Sequence, residues 1–262
     1  MISVTIEKIG LVAQGINNWQ EATALLQSET DYQGGELPLL KPSMLKPNER
    51  RRTTRTIKIA LQAAEEALQD LDNSESLASV FSSSEGDLDI IDQICLALTE
   101  VGRPVSPTQF HNSVHNAPAG YWSIGAGSRQ GSSSLGGLDG SFATGLLEAA
   151  VQSVVEQIPV LLVCYDQPPP ELLQPFMPID EPFSIAMLLN AESDASMARL
   201  NLSTLPHGTE SRLSKPALET LRLSAPSARS LPILEAIAQN RSASITLPYL
   251  PGLNLQAELQ PC

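Results

Sequence analysis

The stretch that most constrains this chain runs from residue 140 to residue 165. Residues 140–157 carry apolar side chains on nearly every face of a helix: Phe142, Ala143, Leu146, Leu147, Ala149, Ala150, Val151, Val154 and Val155. A helix without a wet face belongs between layers of structure. Pro159 ends it, and VLLVCY (160–165) follows without a polar interruption, the pattern of a strand covered on both faces in a parallel sheet. A buried helix leading into a buried strand predicts an α/β layered fold. The chain is long enough for one: with 262 residues, 42% hydrophobic and 17% charged, it hides roughly three quarters of its unfolded surface on folding. Disulfides and structural metals are not needed.

The remaining elements follow from periodicity. Residues 2–9 (ISVTIEKI) alternate as a first strand that Gly10 should stop. Asn17, Asn18 and Trp19 open a short helix to about Leu26, and a Gly- and Pro-rich loop covers 28–48. From Glu49 to Leu71, Ile57, Leu61, Ala64, Leu68 and Leu71 recur at helical spacing and predict one long helix. ASVFS (78–82) reads as a strand, and SSSEGD (82–87) as a turn into a helix buried through Ile91, Ile94, Cys95 and Leu98. The 113–127 segment is helical after Pro118. Strands are expected at 183–189 and 198–205, a loop to about 225, a helix at 227–239 and a hairpin over 245–259.

Charge narrows the partners. Against 29 acidic residues stand 16 Lys and Arg, a net charge of −13, which argues against nucleic acid, since phosphate binding needs clustered cations. Cys95, Cys164 and Cys262 are odd in number and form no C-x-x-C pair, so neither a zinc site nor a disulfide framework is indicated and a reducing compartment is expected. The N-terminus has no uninterrupted apolar segment of the signal-peptide kind, and nowhere do 18 apolar residues run together. A cytoplasmic protein is expected.

Several familiar motifs fail on inspection. His111 and His115 are spaced to share a helical face, but no third ligand lies nearby, and structural or interface roles are the default. GAGSRQG (125–131) has Gln130 in place of the third glycine of a dinucleotide loop and no apolar strand before it. No G-x-S-x-G elbow is present. The basic run Arg50–Arg52 with Arg55 and Lys58 reads as a solvated helix face or an interface patch. More informative is the glycine-flanked turn at 136–140 ahead of the buried helix, which places one side chain at the positive end of that helix, a position suited to a nucleophile. The residue there is Asp139, for which N-capping the helix is the alternative role.

With these residues in view, the chain resembles the N-terminal half of a β-ketoacyl synthase, one of the thiolase-like condensing enzymes. NAPAGYWSIG (116–125) is similar to that family's helix before the nucleophile strand, and a gapless alignment from Gly127 puts the family's nucleophilic cysteine on Asp139. The opening strand with Gly10, the helix beginning NERRR, VLLVCYD, and PIDEPFSIAMLL (178–189) also fit, so the resemblance covers about residues 1–205. It is nearest to the shortened ketosynthase-like chain-length factors of aryl polyene biosynthesis. The implied fold is α/β, a thiolase-like layered fold comprising mainly the N-terminal ketosynthase half, as one domain over 1–205 with a reduced C-terminal remnant over 206–262.

The departures from the family shape the functional expectation. Condensation in this family uses one Cys and two later His; here the elbow carries Asp139, and only His207, in LPHGTE, follows it. A carboxylate cannot carry the acyl thioester. The resemblance therefore implies a non-catalytic subunit, without a cofactor, that pairs as a heterodimer with an active β-ketoacyl synthase and meets acyl carrier protein through that complex; a homodimer is the other assembly it allows. It further implies that the SSSEGD loop and the helix around 110–121 lie near the dimer interface and the partner's acyl tunnel. Glu85, Phe110, His111, His115, Asn116 and Tyr121 are the candidate tunnel or interface residues, and Asp139 marks the dead site. Two rival readings stay open: a stand-alone enzyme acting on acyl thioesters through Asp139 and a histidine, and a structural stabiliser of the ketosynthase.

Overall fold

The computed structural model describes residues 1–28, 32–71 and 74–262; residues 29–31 of the expected 28–48 loop lie outside them. Strand β1 (Ile2–Ala13) runs straight through Gly10, which corrects the expected stop. The glycine is needed for close approach instead: a Cβ there would overlap the Ala63 carbonyl oxygen and the Ala67 nitrogen and lie 3.0 Å from Ala67 Cα. Asn18 caps helix α1 (Trp19–Gln27) by accepting the Glu21 N–H.

The single helix expected over 49–71 is two, α2 (Pro47–Arg52) and α3 (Arg55–Ala67). Thr53 and Thr54 are extended, and each threonine hydroxyl takes a local backbone group: Thr53 Oγ1 donates to the Arg50 carbonyl, while Thr54 Oγ1 accepts from the Ile57 N–H. A Thr-Thr pair thus closes one helix and caps the next.

Strand β2 (Ala78–Ser82) leads to α4 (Leu88–Thr99). The face expected to be buried is not: Ile90 is buried, whereas Ile91, Cys95 and Leu98 are exposed and Ile94 is half-buried. The helix expected around 110–121 is two, α5 (Pro107–Asn112) and α6 (Ala117–Ala126), and α6 carries Pro118 in its first turn, where a missing N–H costs nothing. Next come β3 (Ser132–Leu135), a 3-10 turn at Leu138–Gly140, and α7 (Ser141–Glu156).

The chain continues through β4 (Val160–Asp166), β5 (Phe183–Asn190) and β6 (Ala198–Pro206). The expected loop before residue 225 contains helix α8 (Pro216–Ser224). A 3-10 turn at Ser227–Ser230 then runs into α9 (Leu231–Ala238), followed by the hairpin β7 (Ala243–Leu250) and β8 (Leu253–Pro261).

Among the described residues the strands form one eight-stranded sheet in the order β3-β2-β4-β5-β1-β6-β8-β7. β2 is parallel to β3 and β4, and the other pairings are antiparallel. β4 therefore has one parallel and one antiparallel neighbour, not the two parallel ones its composition suggested. Its apolar run is explained by coverage: Val160, Leu162 and Cys164 join the core that holds α7, while Leu161, Val163 and Tyr165 join the core that holds α3 and α6. Helix α7 is less enclosed than expected. Phe142, Ala143, Leu146, Ala149 and Ala150 pack on the sheet, but Leu147, Val151 and Val154 are half-buried and Val155 is 74% exposed. The 206–262 segment extends the same sheet, with β8 pairing along β6 from Ala198↔Pro261 to Pro206↔Leu253. No helix among the described residues is long and apolar enough to cross a membrane.

Candidate functional site

The parallel strands β3 and β2 end at the same level, and the glycine turn 136–137 carries the chain from β3 toward α7. Ser141 organises that junction: its Oγ accepts the Gly137 N–H at 3.1 Å and donates to the Leu138 carbonyl at 2.7 Å, and its carbonyl accepts from Ser82 Oγ at 2.6 Å. Leu138 adopts φ +50°, a left-handed conformation that costs a leucine about 1–2 kcal/mol, and its side chain is 66% exposed. The tip of the β7–β8 hairpin packs against this turn so closely that a Cβ on Gly140 would overlap the Tyr249 carbonyl oxygen and lie 2.9 Å from its carbonyl carbon.

Between the turn and the hairpin lies a cleft of about 760 Å³, bordered by Ser84, Gly136–Gly140, Glu210 and Pro248–Asn254. Asp139 is exposed on its wall, at the positive end of α7. It does not cap that helix: the N-cap position belongs to Gly140 and receives no side-chain hydrogen bond. The capping role considered for Asp139 is thereby corrected, because the 3-10 turn inserts one residue between the carboxylate and the helix start. None of the three cysteines borders the cleft; Cys95 and Cys262 are exposed, and Cys164 is buried in β4, where desolvation first and the Asp166 charge second push its thiol well above the usual range.

Four of the six other candidate residues fall into two places. Glu85 and His115 meet beside the turn: the His115 ring sits between Gly86 and Gly136, 3.3 Å and 3.8 Å from where their Cβ atoms would be. Burial raises the Glu85 pKa, while a hydrogen bond from Ser84 and the His115 charge oppose that rise. His111 and Tyr121 lie in a separate hollow of about 260 Å³ with Glu49, Arg52, Pro107 and Thr108. Their rings meet edge to face at 6.2 Å. Tyr121 Oη donates to Asn112 Oδ1 at 3.1 Å, and Asn112 Nδ2 donates to the Arg52 carbonyl at 2.6 Å. Phe110 is 68% exposed on α5, and Asn116 is exposed at the start of α6 without making a capping bond.

His111 and His115 do not share a helical face, since α5 ends at Asn112 and His115 occupies the following turn. No group of three or more His, Cys, Asp or Glu among the described residues could hold a metal ion. The sequence reading missed the second wall of the cleft, namely Glu210, Tyr249 and the hairpin tip, because these residues lie more than 70 positions from Asp139 and carry no local motif. Glu210 belongs to a charged cluster there. Arg222 is 3% exposed and pairs with Glu219 at 2.8 Å and with Glu210 at 3.2 Å, while Arg229 stands 3.9 Å from Glu210.

The single mixed sheet, with its strand–turn–helix junction opening into the cleft, matches the thiolase-like ketosynthase fold. The chain belongs to the β-ketoacyl synthase family, whose N-terminal domain matches residues 17–248. No curated protein sequence matches it. Among solved structures it is similar to a ketosynthase (ApeO) in complex with its chain length factor (ApeC) from Xenorhabdus doucetiae, at 22% identity and TM-score 0.73, covering 98% of this chain and 100% of that one. The ishigamide ketosynthase/chain length factor matches at 13% identity and TM-score 0.75, covering 99% of each chain. A β-ketoacyl synthase from Burkholderia phymatum STM815 matches at 13% identity and TM-score 0.72 over 100% of both. At these identities what is shared is the fold.

Proposed function

We propose that this protein is a non-catalytic, ketosynthase-like chain-length factor that pairs with an active ketosynthase in polyketide biosynthesis, of the aryl polyene type, and shapes the partner's acyl tunnel. The observation that carries the reading is the junction ahead of α7, where Asp139, not a thiol, faces the cleft. Likeness to structures of ketosynthase–chain length factor complexes supports it. In this reading β3, which among the described residues lies at the edge of the sheet, and the exposed Ile91, Leu98, Phe110 and Val114 supply surface for the partner. Glu85 and His115 stand at the tunnel end, with Phe110, His111, Asn116 and Tyr121 lining or flanking it. Their bulk limits product length because overpacking a fixed cavity costs about 1–3 kcal/mol per intruding group, and burying an unpaired carboxylate adds a desolvation penalty. Seven cations, Lys41, Lys46, Arg50, Arg51, Arg52, Arg55 and Lys58, crowd one segment of a chain whose net charge is −13, and in this reading they form an interface patch.

The test is co-expression with the candidate ketosynthase, affinity capture, and mass spectrometry of carrier-bound products with and without this chain. A one-to-one complex that elongates only when both subunits are present is expected, with a shifted product length for Phe110→Ala or Glu85→Ala. Turnover of acyl thioesters by this chain alone would refute the reading and return Asp139 to consideration as a catalyst. A complex whose product length ignores both substitutions would leave a structural stabiliser.

A further inference from the structure

Asp166 closes the β4 apolar run and is 1% exposed. Burying a carboxylate is costly unless hydrogen bonds replace its water, and here they come from two separate loops. Oδ1 accepts the Ser84 N–H at 2.9 Å and lies 3.4 Å from Ser83 Oγ; Oδ2 accepts the Ser227 N–H at 2.7 Å. Ser83 Oγ in turn accepts the Gly86 N–H at 3.0 Å, so the hold extends across the backbone on both sides of Glu85. Ser227 opens the 3-10 turn that carries Arg229, and Ser84 borders the cleft. Ser227 is itself fastened to the sheet, its Oγ donating to the Phe183 carbonyl at 3.1 Å.

We infer that Asp166 is a positioning residue: its two carboxylate oxygens lock the Glu85 loop and the Ser227–Ser230 turn to the end of β4 and so fix the geometry of the cleft. An apolar residue would suit the strand but would leave the buried Ser227 N–H and the half-buried Ser84 N–H without their acceptor. Asparagine keeps the shape but offers one acceptor oxygen, and turns an amide donor toward the other N–H. The burial that makes the carboxylate expensive raises its pKa to about 6, while the Ser84, Ser227 and Ser83 hydrogen bonds hold it from rising further.

The experiment is hydrogen–deuterium exchange of the full chain, wild type against Asp166→Asn. Peptides spanning 82–88 and 225–231 should exchange about tenfold faster, the factor expected for one lost charge-assisted hydrogen bond, while β1 and β5 peptides stay protected. Unchanged exchange in 82–88 overturns the inference, and so does a uniform rise across the chain, which marks a merely structural role. If Asp166→Asn does not fold, Ser83→Ala serves: exchange should rise in 82–88 alone, and no rise overturns the inference. The consequence for product length rests on the chain-length reading, and a parallel Glu85→Ala arm in the ketosynthase complex separates the two. If Glu85→Ala shifts product length and Asp166→Asn does not, the positioning role fails. If Glu85→Ala shifts nothing, the chain-length role of Glu85 fails, and the exchange experiment still decides on Asp166.

Discussion

Replacing Gly140 with alanine tests whether the cleft is held by direct backbone packing between the turn before α7 and the β7–β8 hairpin. The backbone at Gly140, with φ −88° and ψ 8°, is one that alanine accepts, so the cost comes from collision alone. The new Cβ would overlap the Tyr249 carbonyl oxygen and sit 2.9 Å and 3.1 Å from the Tyr249 carbonyl carbon and Cα. These are backbone atoms of β7, at the irregularity between Pro248 and Leu250, and they cannot swing aside like the end of a side chain. Restoring ordinary contact requires the hairpin to retreat by about 1 Å, at a cost of about 1–3 kcal/mol. For 262 residues, an unfolding entropy of about 2.1 cal/mol/K per residue converts each kcal/mol into about 2 °C. Gly140→Ala should therefore melt about 2–6 °C lower by calorimetry. Gly120→Ala is the matched control: Gly120 lies within α6 with nothing within 4 Å of an added Cβ, so the same methyl should gain about 0.5–1 kcal/mol and raise Tm by about 1–2 °C. A Gly140→Ala protein that melts at or above the wild type would refute the reasoning, as would equal losses in both variants.

Two further outcomes follow from buried charge. Glu66 on α3 accepts the N–H groups of Trp19, at 2.7 Å, and Leu11, yet its pKa is raised from 4.5 to about 7, because desolvation outweighs those bonds. A carboxyl with a raised folded-state pKa favours folding fully below its unfolded value and loses that contribution as pH climbs through about 7. Between pH 8 and pH 5 stability should thus rise on acidification by roughly 1–2 kcal/mol, after allowing for partial solvent contact, and Asp166 acts in the same sense. Urea titrations at constant ionic strength should show the slope, Glu66→Gln should flatten it, and stability that falls over that range would count against the assignment. Lys215 Nζ donates to the carbonyls of Leu25 and Ser28 at the C-terminal end of α1. Lys215→Met should cost about 1–2 kcal/mol and speed amide exchange within residues 19–27 first; a protein with unchanged melting and exchange would show that these bonds contribute nothing.

Local patterning carried much of the fold. The two-sided burial of β4, the Asn18 cap, the paired strands at the C-terminus and the glycine junction ahead of α7 are all short-range signals, and all appear where the residues indicate. The failures share one cause, which is that a single residue type admits two uses. Gly10 reads as a stop but serves as the point where β1 meets the backbone of α3. Thr53 and Thr54 are unremarkable inside a helical pattern until their hydroxyls bond locally and split it. Ile91, Cys95 and Leu98 keep helical spacing, yet within this chain their face meets solvent; periodicity reports that a face is apolar, not what covers it.

The candidate site divides along the same line. Asp139 and the turn that holds it are contiguous in sequence, so their approach to the end of α7 could be read directly. The cleft itself could not. Its second wall comes from Glu210 and the hairpin tip at 248–254, and the hold on the Glu85 loop comes from Asp166, 82 residues beyond Ser84. Strand periods and helix caps are set by interactions within a few residues, which a sequence records in order. The pairing of β8 along β6, the meeting of Tyr249 with Gly140, and the two loops gathered on one carboxylate depend on how the sheet stacks its strands, and that order exists only once the chain has folded.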